Sequence, residues 1–152
     1  MAAAWVDAGR FYVEVDERDF QVPDETGLVD WLESGVEAMH EDKDLALLVA
    51  EDDGEVIGFV GCRLAPPISD ARWQLQRELA ETRLIVDAVC VAEGRRGSGA
   101  GLNLVGAAED WGRERGASIA VVDGNWASGV APRFYEGRLG YRRRSVSLRK
   151  AL

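Results

Sequence analysis

Residues 96–101 read Arg-Gly-Ser-Gly-Ala-Gly, with glycine at 97, 99 and 101 and only Ser98 and Ala100 between them. A β-branched run precedes this loop and a helical pattern follows it. Glycine lets backbone N–H groups approach a partner without a Cβ in the way. Ordering so flexible a loop costs conformational entropy that a bound group must offset. At the mouth of a helix, bare N–H groups and the helix dipole suit an anion. The chemistry implied is phosphate binding by the backbone of Gly97, Ser98, Gly99, Ala100, Gly101 and Leu102. Arg96 either adds charge to that site or is a solvated loop arginine. Two phosphate motifs are excluded. The Walker A loop needs a Gly-Lys-Ser/Thr ending, and no lysine is present here. The dinucleotide fingerprint fails at its sixth position, where Leu104 replaces the third glycine.

Asp87 is the second chemically suggestive residue, a carboxylate inside the apolar run "RLIVDAVCV". Strand parity puts it on one side with Val89 and Val91. It is either a general base or an aspartate paired with an arginine or a backbone donor. Glu81 and Glu136 are weaker candidates for the base. His40, the single histidine, precedes Glu41 and Asp42 and reads as a solvated surface residue. Cys62 and Cys90 are too few for a disulfide framework and lack metal-ligand spacing. They read as buried free thiols of a cytoplasmic protein, with no metal.

These residues need elements to hold them. "RLIVDAVCV" (83–91) is a strand, and a helix from about Gly99 to Arg115 follows the glycine loop, ended by Gly116. Strands at about 46–51 and 56–64 flank Asp53-Gly54, the strongest hairpin signal in the chain. "SIAVVD" (118–123) is a further strand, and "SGVAPRFYEGRLG" a short helix ending near Gly140. "RFYVEV" (10–15) alternates and predicts a first strand; "YRRRSVSLRK" (141–150) predicts a last one. Leu28, Leu32, Val36 and Met39 have the helical spacing of core residues. Asp70 to Leu79 can form a helix capped at Ser69 or Asp70. The result is an α/β (α+β) chain, one domain over 1–152, with a mixed sheet of about six strands flanked by helices.

"VCVAEGRRGSGAG" resembles the acyl-coenzyme A site of the GNAT N-acetyltransferase superfamily, where a strand ending in Val is followed by R-x-x-G-x-G. Val91, Arg96, Gly99 and Gly101 carry that match. "RFYEGRLGY" resembles the family's later F-Y-x-x-x-G-F/Y segment through Phe134, Tyr135, Gly140 and Tyr141, with one extra residue before Gly140. Asn125 stands where many members place an asparagine after the fifth strand. The resemblance covers roughly residues 45 to 148. It implies a mostly antiparallel sheet splayed between its fourth and fifth strands, with acetyl-CoA as cosubstrate. The pantetheine arm would pair with backbone groups of Val89 and Val91, and Asn125 would join the cofactor site. Tyr135 is the family-matched general acid for the leaving thiolate; the alternative is a core tyrosine packed on Phe134. Proline usually follows the position of Val91, and here the chain has Ala92-Glu93. The stretch 65–81 is longer than a minimal connection and suggests an insertion near the acceptor mouth.

The implied activity is an N-acetyltransferase in which a primary amine attacks acetyl-CoA directly. A non-catalytic acyl-CoA sensor of the same fold is the alternative, and an unrelated nucleotide-binding domain a third. The net charge of −9 argues against nucleic acid as a partner. It fits a cationic acceptor, a small molecule or a protein amine, as well as simple solubility. No signal peptide or membrane span is present in the sequence. The family often pairs, so a homodimer is open. Trp31, Trp73 and Trp126 are candidates for an acceptor pocket, though core or surface packing suits each. Arg142, Arg143 and Arg144 read as a charged strand edge or a contact for the coenzyme's 3′-phosphate.

Overall fold

The computed structural model describes residues 1–145 and 147–150, with Trp126 described by its backbone only. Seven regular elements organise it: helices α1 (Ala2–Val15) and α2 (Leu28–Glu41), strands β1 (Leu45–Asp52), β2 (Glu55–Ala65) and β3 (Arg83–Val91), helix α3 (Ala100–Glu114) and strand β4 (Ile119–Val122). The sheet runs β1-β2-β3-β4. The first three strands pair antiparallel, and β4 lies parallel to β3 across the α3 crossover.

The hairpin turns where the sequence indicates, with Asp53 at φ 49° and Gly54 at φ 81°. Both residues with positive φ define the tight turn whose twist matches the flanking strands. Strand β2 is the centre of the fold. Six successive residues, Ile57 to Cys62, are buried, because both faces are covered. On one face Leu104 and Ala108 of α3 pack with Val60, Cys62, Leu84 and Val86. Gly112 lets α3 come down on Leu84; a Cβ there would lie 3.1 Å from the Leu84 Cβ. On the other face Ala4 of α1 packs with Phe59 and Cys90. Both cysteines are buried and free.

The sheet has four strands among the described residues, not about six. The expected first strand at Arg10–Val15 is the last part of α1. Its six-residue alternation is outweighed by a longer helical period, in which Trp5, Ala8 and Tyr12 share one face. The three alanines at 2–4 also favour helix over strand. The expected last strand is absent from residues 141–145 and 147–150; the part resting on Val146 lies outside the described residues. Its arginines reach out to carboxylates instead, Arg143 to Glu136 at 3.2 Å and Arg144 to Glu78. The helix expected over 70–79 is two 3-10 turns, Ala71–Trp73 and Arg77–Ala80.

Candidate active site

The pairing of β3 with β4 covers four residues on each strand and ends at Val86 opposite Val122. Beyond that point β3 continues to Val91 while the chain after β4 turns into a 3-10 turn, Trp126–Ser128. The two walls part around a cleft of about 310 Å³. These are the strands expected as fourth and fifth; their pairing uses the whole of β4 and stops where that strand ends, at Val122.

Asp87 stands at the point of parting. Gly61 pairs with Ala88 and Cys62 with Val86, so Asp87 is an extra residue in β3, a β-bulge. The bulge resets the alternation. Leu84 and Val86 pack toward α3, and so do Val89 and Val91, while Cys90 packs toward α1. The uninterrupted parity expected for Asp87, Val89 and Val91 therefore does not hold: the two valines share a face, and Asp87 sits in the break. Its carboxylate lines the cleft and accepts a hydrogen bond from Arg63 Nε at 3.2 Å. Of the two readings of Asp87, the ion pair is present.

Val89 and Val91 present backbone to the open edge. The Cys90 carbonyl is turned toward β2, where a Cβ on Gly58 would come within 2.6 Å of it. Strand alternation then turns the carbonyls of Val89 and Val91 the other way. The Val91 carbonyl accepts from Arg96 Nε at 3.4 Å.

The glycine loop follows a 3-10 turn, Glu93–Arg95. Gly97 (φ 83°) and Gly99 (φ 94°) occupy the left-handed region, so both need glycine. Gly99 is the N-cap of α3 and has no side chain to cap it; Ser98 Oγ accepts from the Ala100 N–H at 3.3 Å. Gly101 has a different task. A Cβ on it would lie 3.4 Å from the Phe134 ring, so the ring rests on the bare helix start. Arg96 turns away from the loop toward α1, donating to the Asp7 carbonyl at 3.1 Å, with its guanidinium 5.5 Å from the Phe11 ring. The Asp7 carboxylate accepts from the Glu93 N–H at 3.0 Å, so α1 and the loop brace each other.

Tyr135 lies in a wide π-type turn, Pro132–Glu136, and lines the cleft. Its ring is edge-on to Phe134 at 4.9 Å and to Tyr141 at 5.6 Å. Burial pushes its hydroxyl up to about 12, with Tyr12 and Cys90 adding to the effect. Tyr141 donates to Glu109 at 2.8 Å, fixing the second ring. Asn125 also lines the cleft; its side-chain oxygen accepts from the Ala127 N–H at 2.9 Å, which leaves the amide NH2 as its remaining donor group.

Glu81 and Glu136 do not line the cleft. Glu81 accepts from Ser118 and Glu136 from Arg143. Trp31 and Trp73 are exposed, Trp73 stacked under the Arg72 guanidinium at 4.0 Å. The Trp126 side chain lies outside the described residues. The aromatic wall of the cleft comes instead from Trp5 and Tyr12 of α1, with Phe20 stacked on Tyr12 at 4.8 Å. The strand expected at 10–15 hid Tyr12; the helical spacing of Trp5, Ala8 and Tyr12 is the signal that reveals it.

A cleft thus opens where the pairing of two parallel strands ends, lined by the half-buried Tyr135, and a glycine-rich helix start follows the same β3 strand. The family model described as the acetyltransferase (GNAT) family matches residues 10–141, and the chain belongs to that family. Solved structures agree on the fold. A tetramutant of a Bacillus halodurans protein superposes with TM-score 0.74 at 21% identity, covering 99% of this chain and 92% of that one. A Pyrococcus furiosus protein described as a putative acetyl transferase gives 0.64 at 22%, covering 95% and 91%. An aminoglycoside N-acetyltransferase in complex with coenzyme A gives 0.61 at 20%, covering 86% and 97%. A search of curated proteins gives no significant match. No helix among the described residues is long and apolar enough to cross a membrane.

Proposed function

We propose that the protein transfers the acetyl group of acetyl-CoA to a primary amine by direct attack. Membership of the acetyltransferase family supports this, and so does the coenzyme A held by a structural neighbour. The observation that carries it is the β3 edge left unpaired beyond Val86, where Val89 lines a cleft that Tyr135 also lines. In this reading the diphosphate sits on the 97–102 backbone at the start of α3, taken by the N–H groups of Gly97, Gly99, Gly101 and Leu102, while those of Ser98 and Ala100 donate within the loop. The pantetheine arm pairs with Val89 and Val91 as an added strand, and the Asn125 amide donates to it. Arg96 braces α1 and supports the loop from outside.

The acceptor ammonium first loses one proton; with an ordinary pKa of about 10.4, roughly one amine in a thousand is neutral at pH 7. Asp87 at the bulge and cleft water are the acceptors for it. The amine nitrogen then bonds to the carbonyl carbon, the C–S bond breaks, and the second proton passes from the new amide nitrogen through solvent to the Tyr135 oxygen, replacing the one that Tyr135 gives to the sulfur. Tyr135 is neutral and a donor at any working pH, because its hydroxyl is held near 12. It steadies the leaving sulfur by a hydrogen bond, its proton crossing only as the C–S bond breaks.

Tyr135→Phe is expected to keep the thermal stabilisation given by acetyl-CoA while lowering turnover about 10²-fold in a thiol-release assay. Unchanged turnover would remove Tyr135 from the mechanism. Stabilisation by acetyl-CoA with no thiol released to any amine would overturn the transferase reading.

A further inference from the structure

The cleft that would receive the acceptor has an unusual lining. Its α1 side is aromatic, built from Trp5, Tyr12 and Phe20. Among the described residues no lysine, arginine or histidine lines it, and two aspartates do, Asp87 and Asp123. Asp87 is compensated by Arg63. Asp123 stands where the cleft opens into a wider hollow along β4. The other carboxylates of that hollow are engaged: Asp16 by Arg18, Asp19 by Arg149, Glu78 by Arg144 and Glu109 by Tyr141. Asp123 has no ion pair or hydrogen-bonding side chain on it among the described residues.

Charge and shape together select a ligand. One uncompensated carboxylate matches one ammonium, and aromatic faces attract a cation and pack an apolar body. A second charge on the ligand would be stripped of water against an apolar wall with no carboxylate of its own to meet it. A cleft of about 310 Å³ is at the small end for ligand sites, and the thioester end must share it. We infer that the acceptor is a compact monoamine with an aromatic or branched apolar body, its ammonium held by Asp123 and its body on the Trp5–Tyr12–Phe20 wall. The inference rests on the transferase reading and narrows it, against polyamines, aminoglycosides and protein lysines.

The test pairs a binding readout with a turnover readout on the whole protein. Saturation-transfer NMR with coenzyme A present would compare phenethylamine with spermidine, kanamycin and a lysine peptide; thiol release from acetyl-CoA would be followed for the same amines. Phenethylamine is expected to bind and to give the highest kcat/KM. Asp123→Asn should raise its KM about tenfold and leave the KM for acetyl-CoA unchanged. Trp5→Leu, read by the same assay, should raise the amine KM alone. Preference for spermidine, kanamycin or the peptide would overturn the inference while leaving the transferase reading in place. An unchanged amine KM in Asp123→Asn would do the same. Phenethylamine binding that Asp123→Asn weakens, with no thiol released, would support the acceptor site and overturn the transferase reading instead. Absence of phenethylamine binding would overturn the inference outright.

Discussion

Gly99 and Gly101 are two residues apart, and only Gly99 needs glycine for its own backbone. Gly99 holds φ 94°, so Gly99→Ala is expected to cost about 1–2 kcal/mol of stability, measured by denaturant unfolding. Gly101 is helical, and an added Cβ would make an ordinary contact with the Phe134 ring. Gly101→Ala should therefore fold with stability within about 1 kcal/mol of the parent. If the carrier's diphosphate comes down on that backbone, the same variant should raise the KM for acetyl-CoA about tenfold. An unchanged KM would leave Gly101 as a seat for Phe134 alone. The loop was legible because glycine spacing is local and written in consecutive residues. Asp87 was half legible. An aspartate in an apolar strand announces itself, but its bulge is set by the register against Gly61 and Cys62, more than twenty residues away.

At the scale of elements, the hairpin, β3 and α3 followed from the sequence almost to the residue, because each is closed by its own turn or cap. Helix α1 did not. "RFYVEV" alternates as a strand should, and the longer helical spacing of Trp5, Ala8 and Tyr12, with the partners that these residues meet, decides for helix. The segment after it is fitted against α1 at Gly9, where a Cβ would come within 2.4 Å of Pro23 Cδ. That contact cannot be relieved by a flexible side chain. Gly9→Ala is expected to destabilise by about 1–3 kcal/mol and to displace the Gln21–Pro23 stretch at the cleft rim. In kinetics it should raise the KM for the amine more than that for acetyl-CoA. Equal changes in both would mean that this stretch does not serve the acceptor side. The expected last strand failed for a comparable reason: alternation in 141–150 says which residues could pair, not whether a partner edge is within reach.

Across the whole molecule, the protonated groups that burial favours are thiols and phenols. Burial raises Cys62 from an ordinary 9.0 to about 11 and Cys90 to about 12. Tyr12, Tyr135 and Tyr141 are raised in the same direction. The folded chain thus holds these protons more tightly than the unfolded one. Their contribution is full below about pH 9 and is lost as pH rises through 11 to 12. Thermal melts should show a midpoint falling steadily above about pH 9, and Cys62→Ala should lower the midpoint at pH 7 yet flatten that fall. A midpoint constant to pH 10.5 would contradict the assignment of these groups to the interior.

The bulge at Asp87 is one residue more than the ladder needs, so the faces of β3 do not depend on it. Val86 already stands opposite Cys62, and Ala88 opposite Gly61. An in-frame deletion of that one codon would join the two pairs into an unbroken ladder and leave Ala88 to Val91 on the faces they have now. It would take away the local kink and the carboxylate that pairs with Arg63. Such a variant should fold with Cys90 as well shielded from a thiol reagent as in the parent; a reactive Cys90 would mean that the kink itself holds the strand in place.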